Sequence, residues 1–199
     1  ECNNHSNPGW LTAVGSTLFF TVYQSNTTGN ELWKSDGTEA GTVMVKDIFP
    51  GPFQNSSIPT SLKAVGNTLY FDANDGTNGR ELWKSDGTAS GTVMVKDINS
   101  GSSDGMTIYT NGVTAIGNTL YFQADDGTNG RELWKSDGTS SGTVMVKNIN
   151  SSGDAFFGYS LIQSSGNTLY FVAEDGTNGR ELWKSDGTSS GTVMVKNIN

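Results

Sequence analysis

At 199 residues the chain suits one domain or two small ones, and 34% hydrophobic residues with 26 glycines and only 4 prolines describe a turn-rich globular protein. A net charge of −8 argues against a nucleic-acid backbone as partner, and no apolar run nears the ~20 residues that cross a bilayer. A single His and a single Cys cannot build a structural zinc site, which takes four such ligands, and a His-dependent nucleophilic site would have to recruit His5.

The chain opens on a polar arm, residues 1–10, that cannot pack as a sheet strand. It begins with Glu1 rather than Met, which fits a mature protein trimmed of a signal peptide, or a fragment. Cys2 has no partner within the chain, so it pairs with another molecule or stays free. The arm reads as a frayed terminus or as a tether that docks on a neighbouring molecule.

From there the sequence repeats. Glu-Leu-Trp-Lys-Ser-Asp-Gly-Thr recurs four times, placing Trp33, Trp83, Trp134 and Trp183 at spacings of 50, 51 and 49 residues. Residues 117–150 and 166–199 agree at 32 of 34 positions. A period near 50 with this fidelity signals a repeat architecture. In the second copy four strands are predicted, at 61–65, 68–73, 80–86 and 92–98. Gly66-Asn67 makes a tight hairpin between the first two. The alternation of Leu69, Phe71 and Ala73 with Tyr70 and Asp72 has the period of a strand. Val93-Met94-Val95 is apolar on both faces and is expected to be covered on both. No segment carries a capped helical period. Four antiparallel strands per copy, with like neighbours, predict an all-β protein: a β-propeller of four four-stranded blades. The blades are placed at 11–48, 61–98, 112–149 and 161–198, within one domain at 11–199. The alternative is half of a larger ring completed by a second chain.

The run Glu-Leu-Trp-Lys-Ser-Asp-Gly-Thr-x-x-Gly-Thr-x-x-Val-Lys-Asp-Ile, with Gly-Asn-Thr-Leu-Tyr-Phe and Asp-Gly-Thr-Asn-Gly-Arg upstream, resembles the bacterial ELWxxDGT repeat family over residues 11–199. The resemblance implies a secreted or cell-surface protein with propeller-like blades, and it implies no common activity. Two departures stand out. Members often carry more than four repeats, and here residues 23–30 replace the Asp-Gly-Thr-Asn-Gly-Arg loop in the first copy.

The repeated tryptophans could stack on sugars, but their mid-strand position beside Leu predicts core roles. The aspartate of Ser-Asp-Gly-Thr is expected to cap its own loop as an Asx-turn. Asp75, Asp126 and Asp175, each before a Gly, are calcium candidates, and no cofactor is otherwise expected. Because Asp72 becomes Gln123 and Val172 in later copies, the wider oxygen set is not repeated, and turn stabilisation is the competing role. Arg80, Arg131 and Arg180 could form an anion-binding triad of the sialidase kind. Adjoining glutamates instead suggest surface ion pairs or hydrogen bonds within each blade. Four sequons, at Asn4, Asn26, Asn55 and Asn150, lie outside the predicted strands and are compatible with an extracellular glycoprotein.

No catalytic constellation is expected, because near-identical copies supply the same environment four times while catalysis needs groups in different ones. The sequence therefore reads as a secreted, non-enzymatic module that self-associates into a surface assembly or filament, or serves adhesion, with Cys2 as an intermolecular contact. The first alternative is a multivalent glycan-binding lectin. The second is a glycan hydrolase with its site in the irregular first copy.

Overall fold

Each repeat folds as a four-stranded meander because short alternating runs are separated by glycine turns that only a chain reversal accommodates. The computed structural model describes residues 6–24, 28–51, 55–106, 112–158 and 160–198. Cys2, Asn4, His5 and Asn26 lie outside the described residues.

Blade 1 comprises β1 (Gly9–Val14), β2 (Thr17–Gln24), β3 (Gly29–Ser35) and β4 (Val43–Lys46). Blade 2 comprises β5 (Thr60–Val65), β6 (Thr68–Asn74), β7 (Arg80–Ser85) and β8 (Val93–Lys96). Blade 3 has β9 (Val113–Ile116), β10 (Thr119–Asp125), β11 (Arg131–Ser136) and β12 (Val144–Lys147). Blade 4 has β13 (Ile162–Ser165), β14 (Thr168–Glu174), β15 (Arg180–Ser185) and β16 (Val193–Lys196). All four sheets are antiparallel with strands in sequence order, and the first strands β1, β5, β9 and β13 lie next to one another in series. The molecule is thus an all-β propeller of four four-stranded blades. β1 starts at Gly9, and the Ser6 carbonyl accepts the Tyr23 amide, so the end of the polar arm runs along β2.

The registers fix which face of a blade meets which neighbour. Phe71 lies opposite Trp83, and Trp83 opposite Met94, forming one apolar row across blade 2. That row, with Leu69 and Ala73, packs against Val14, Phe19, Leu32, Val45 and Ile48 of blade 1. The other face of blade 2 presents Tyr70, Leu82, Val95 and Ile98 to Leu120, Phe122, Ala124 and Trp134 of blade 3. Blade 3 meets blade 4 in the same manner. Burying both faces this way is what a lone 50-residue sheet cannot do for itself.

Polar contacts repeat with the apolar ones. Lys34 Nζ donates to the Gly87 carbonyl at 2.7 Å, Lys84 to Gly138 at 2.8 Å and Lys135 to Gly187 at 2.9 Å. A second lysine from each blade, Lys46, Lys96 or Lys147, lies 5.8–6.0 Å from the ring centre of the next blade's Trp. Each also donates to the carbonyl of Thr92, Thr143 or Thr192.

Two expectations need correction. The fourth strand is shorter than predicted and is not covered on both faces: Val93 is 37% exposed, as are its counterparts Val43, Val144 and Val193 to a similar degree. These residues stand on the outermost strand, whose outer edge has no further strand to cover it. Leu182 and Val195 are also exposed, because among the described residues no blade packs on that face of blade 4.

The Asp-Gly-Thr turn is an Asx-turn. Asp86 Oδ1 accepts the Thr88 amide at 2.8 Å and its hydroxyl at 2.7 Å, and the same pair of bonds recurs at Asp36, Asp137 and Asp186. Asp86→Ala should lower stability by about 1 kcal/mol, the usual worth of a lost local cap, measured by urea unfolding.

Candidate functional site

The first strands of all four blades contribute to a cavity of about 240 Å³. Trp10, Ser61, Lys63, Thr114 and Gln163 supply its polar and aromatic lining, flanked by apolar Leu62, Val113 and Ile162. Repeat symmetry fails at this point. β1 and β5 each carry a bulge, between Gly9 and Thr12 and between Thr60 and Lys63, whereas β9 and β13 pair without one. The bulges hold Trp10 at φ 54° and Ser61 at φ 56°, a left-handed conformation costly for residues with a Cβ. Bulges re-aim side chains and gather near functional sites.

Next to Ser61 but outside this lining, Thr60 donates its Oγ1 hydroxyl to Asp72 Oδ2 at 2.7 Å. Asp72 is fully buried and pairs with Arg80, whose Nη1 lies 2.5 Å from the same oxygen and 2.9 Å from the Ile58 carbonyl. Asp72 Oδ1 is buried without a hydrogen-bond partner among the described residues. The position is Thr21 in blade 1, Gln123 in blade 3 and Val172 in blade 4, so this carboxylate is singular. Gln123 spends its amide on the Ser160 carbonyl, at 2.6 Å.

The arginines do not act as a triad of equivalents. Arg80 is buried, which corrects the expected surface pairing; Arg131 is half-buried; Arg180 is exposed and donates to the Phe157 carbonyl at 3.2 Å. The difference follows the Asp72 position, which holds a carboxylate only in blade 2.

The calcium candidates are occupied by their own loops. Asp75 Oδ1 accepts the amides of Thr77 and Asn78, both at 2.8 Å, while Oδ2 accepts the Asn78 side chain at 2.7 Å. Asp126 and Asp175 repeat the pattern. Burial alone would raise the Asp75 carboxyl, but these donors outweigh it and hold it below the usual range. Among the described residues no three His, Cys, Asp or Glu side chains group as metal ligands.

Trp83, Trp134 and Trp183 are buried at the blade junctions, and Trp33 is half-buried. Asn150 is also buried: its Nδ2 donates to the Asp154 carbonyl at 2.9 Å, and its Oδ1 accepts from Ser152. A glycan on that nitrogen would displace a structural turn. Asn55 is half-buried and donates to the Pro50 carbonyl at 3.0 Å.

Sequence reasoning missed the glutamates of the Glu-Leu-Trp motif. Glu31, Glu81 and Glu132 are fully buried and bind the amides of the chain leaving their blades: Glu81 accepts from Ile98, Asn99 and Gly105. The signal was present, since Glu precedes Leu-Trp in every copy, but a carboxylate beside an Arg invites an ion-pair reading first. Burial raises Glu81 and Glu132 from 4.5 to about 7 and Glu31 to about 6, against the downward pull of their hydrogen-bond donors.

Folded pKa values above the unfolded one mean that the native state holds more protons between pH 4.5 and about 7. Their stabilisation is full below 4.5 and is lost as pH rises through the folded values. The turn aspartates work oppositely, because hydrogen bonds depress them: their contribution disappears as pH falls below 3.8. The melting temperature should therefore peak near pH 4–6 and drop towards pH 8. Glu81→Gln, which keeps an acceptor for the amides, should flatten the neutral-side slope; a melting temperature that climbs from pH 5 to 8 would contradict this.

No family model and no curated protein matches the chain. Among solved structures it is similar to puromycin hydrolase, with TM-score 0.57, 14% identity and 95% of this chain covered. The chain spans 29% of that protein. It is also similar to a GH43 endo-arabinanase from Bacillus licheniformis, with TM-score 0.36, 16% identity and coverage of 100% of this chain and 82% of that one. An engineered GH43 enzyme with endo-xylanase and exo-arabinofuranosidase activity gives TM-score 0.40, 15% identity and coverage of 98% and 42%. These neighbours are hydrolases by name, which runs against the sequence expectation of a non-enzymatic assembly, filament or adhesion module. At these identities the likeness carries the fold and leaves the reaction to be argued from the site.

Proposed function

We propose that this propeller is a glycan hydrolase whose substrate is received in the cavity between the first strands. The observation that carries the reading is the broken repeat symmetry at blades 1 and 2, where strained bulges place Trp10 and Ser61 in the cavity lining. An indole face there offers a stacking platform for a pyranose ring, and Lys63, Thr114 and Gln163 offer hydrogen bonds to its hydroxyls. Asp72, the non-repeated buried carboxylate next to this lining, binds Arg80 and Thr60 and so positions the strand that carries Ser61 and Lys63. The tryptophans buried at the junctions leave the lectin alternative without its repeated stacking surface. The resemblance to the ELWxxDGT repeat family supports placing this activity outside the cell, where polymeric glycans are met.

Arabinan, xylan and β-1,3-galactan oligosaccharides are suitable probes, with release of reducing ends as the readout. Cleavage of one class is expected, falling by a factor of about 100 in Asp72→Asn as the cavity strand loses its position, with circular dichroism confirming the fold. Trp10→Ala should raise KM more than it lowers kcat. Binding without cleavage, weakened by Trp10→Ala and indifferent to Asp72→Asn, would sink the hydrolase reading in favour of a sugar-binding one.

A further inference from the structure

Apolar clusters fill three junctions, between blades 1 and 2, 2 and 3, and 3 and 4, and none among the described residues joins blade 4 to blade 1. The face of blade 4 that would meet a next blade is consequently open. Tyr170 and Leu182 are each 39% exposed, against 5% and 1% for Tyr70 and Leu82 at the same positions of blade 2. Val195 and Ile198 are exposed at 46% and 72%, where Val95 and Ile98 are buried. Lys184 and Lys196, counterparts of the lysines that grip the following blade elsewhere, are also exposed. Blade 1 shows the converse: Leu18 and Trp33 are half-buried, where Leu69 and Trp83 are buried, and its turn at residues 36–40 is exposed.

We propose that the open face of blade 4 is the docking surface for blade 1 of a second copy of this chain. Three internal junctions of the same residues serve as the template. Tyr170, Leu182, Val195 and Ile198 would cover Leu18, Phe20 and Trp33 of the second copy, as their counterparts cover Leu69, Phe71 and Trp83. Lys184 would reach the Gly37 carbonyl, as Lys34 reaches that of Gly87, and Lys196 that of Thr42, as Lys46 reaches that of Thr92. Charge is matched as well. At the internal junctions the incoming Lys84 and Lys135 help depress Asp137 and Asp186, after the dominant Thr hydrogen bonds, and Asp36 is the corresponding exposed acid on blade 1. Each copy carries one face of each kind, so two copies can satisfy both in a closed pair.

Light scattering after size exclusion, at high micromolar concentration, should give twice the chain mass. Leu182→Asp and Lys184→Glu alter exposed side chains and should each give the single-chain mass with an unchanged circular dichroism spectrum. Val93→Asp, on the outer edge away from this face, should keep the double mass. A wild-type chain of single mass overturns the proposal. So does a double mass that survives Leu182→Asp, or an open face covered only when a longer polypeptide supplies further repeats.

Discussion

Trp83→Ala should destabilise the propeller by about 3–5 kcal/mol, whereas Val93→Ala should stay within about 0.5 kcal/mol of wild type. Trp83 is 6% exposed, faces Phe71 and Met94 across its sheet, packs on blade 1 and carries Lys46 5.8 Å from its ring centre. Its truncation opens a cavity at a junction between two sheets, neither of which can relax without losing contacts elsewhere. Val93 is 37% exposed on the outermost strand, and its loss opens nothing. Both residues belong to the repeated motif, and by hydrophobicity alone both were expected to be buried. Guanidinium unfolding of the two variants decides the point; similar costs for both would show that the outer strands are covered in solution.

Arg80→Leu should cost about 3–5 kcal/mol, because it leaves the fully buried Asp72 carboxylate without its cation. The double change Asp72→Val with Arg80→Leu should recover most of that loss. Blade 4 carries Val172 at the Asp72 position, 40% exposed, and leaves Arg180 exposed as well. Truncating one member strands a charge, whereas replacing both restores an apolar junction. A double variant no more stable than Arg80→Leu alone would mean that the pair contributes through packing rather than charge.

The sequence by itself determined the repeat, the strand count, the glycine turns and the aspartate-capped loops. Each of these is local: a hairpin glycine such as Gly66 at φ 57°, or Asp86 bonding to Thr88, is written within a few residues and recurs with the motif. It also placed Trp83, Trp134 and Trp183 in the core, since a large mid-strand aromatic needs a covered face. Tertiary structure decided the rest, because identical words acquire different roles from their neighbours. Leu82 is buried and Leu182 exposed, although both stand in Arg-Glu-Leu-Trp-Lys, because blade 3 covers the one and no described blade covers the other. Arg80 is buried and Arg180 exposed, because the position that holds Asp72 in blade 2 holds Val172 in blade 4. The motif glutamates became linker anchors through contacts made 17 to 26 residues along the chain. The bulges at Trp10 and Ser61 depend on strand register, which pairing across the sheet fixes and no periodicity in β1 or β5 announces. Local hydrogen bonding can be read from spacing; burial, charge pairing and register are properties of what stands opposite, and those were settled only when the blades came together.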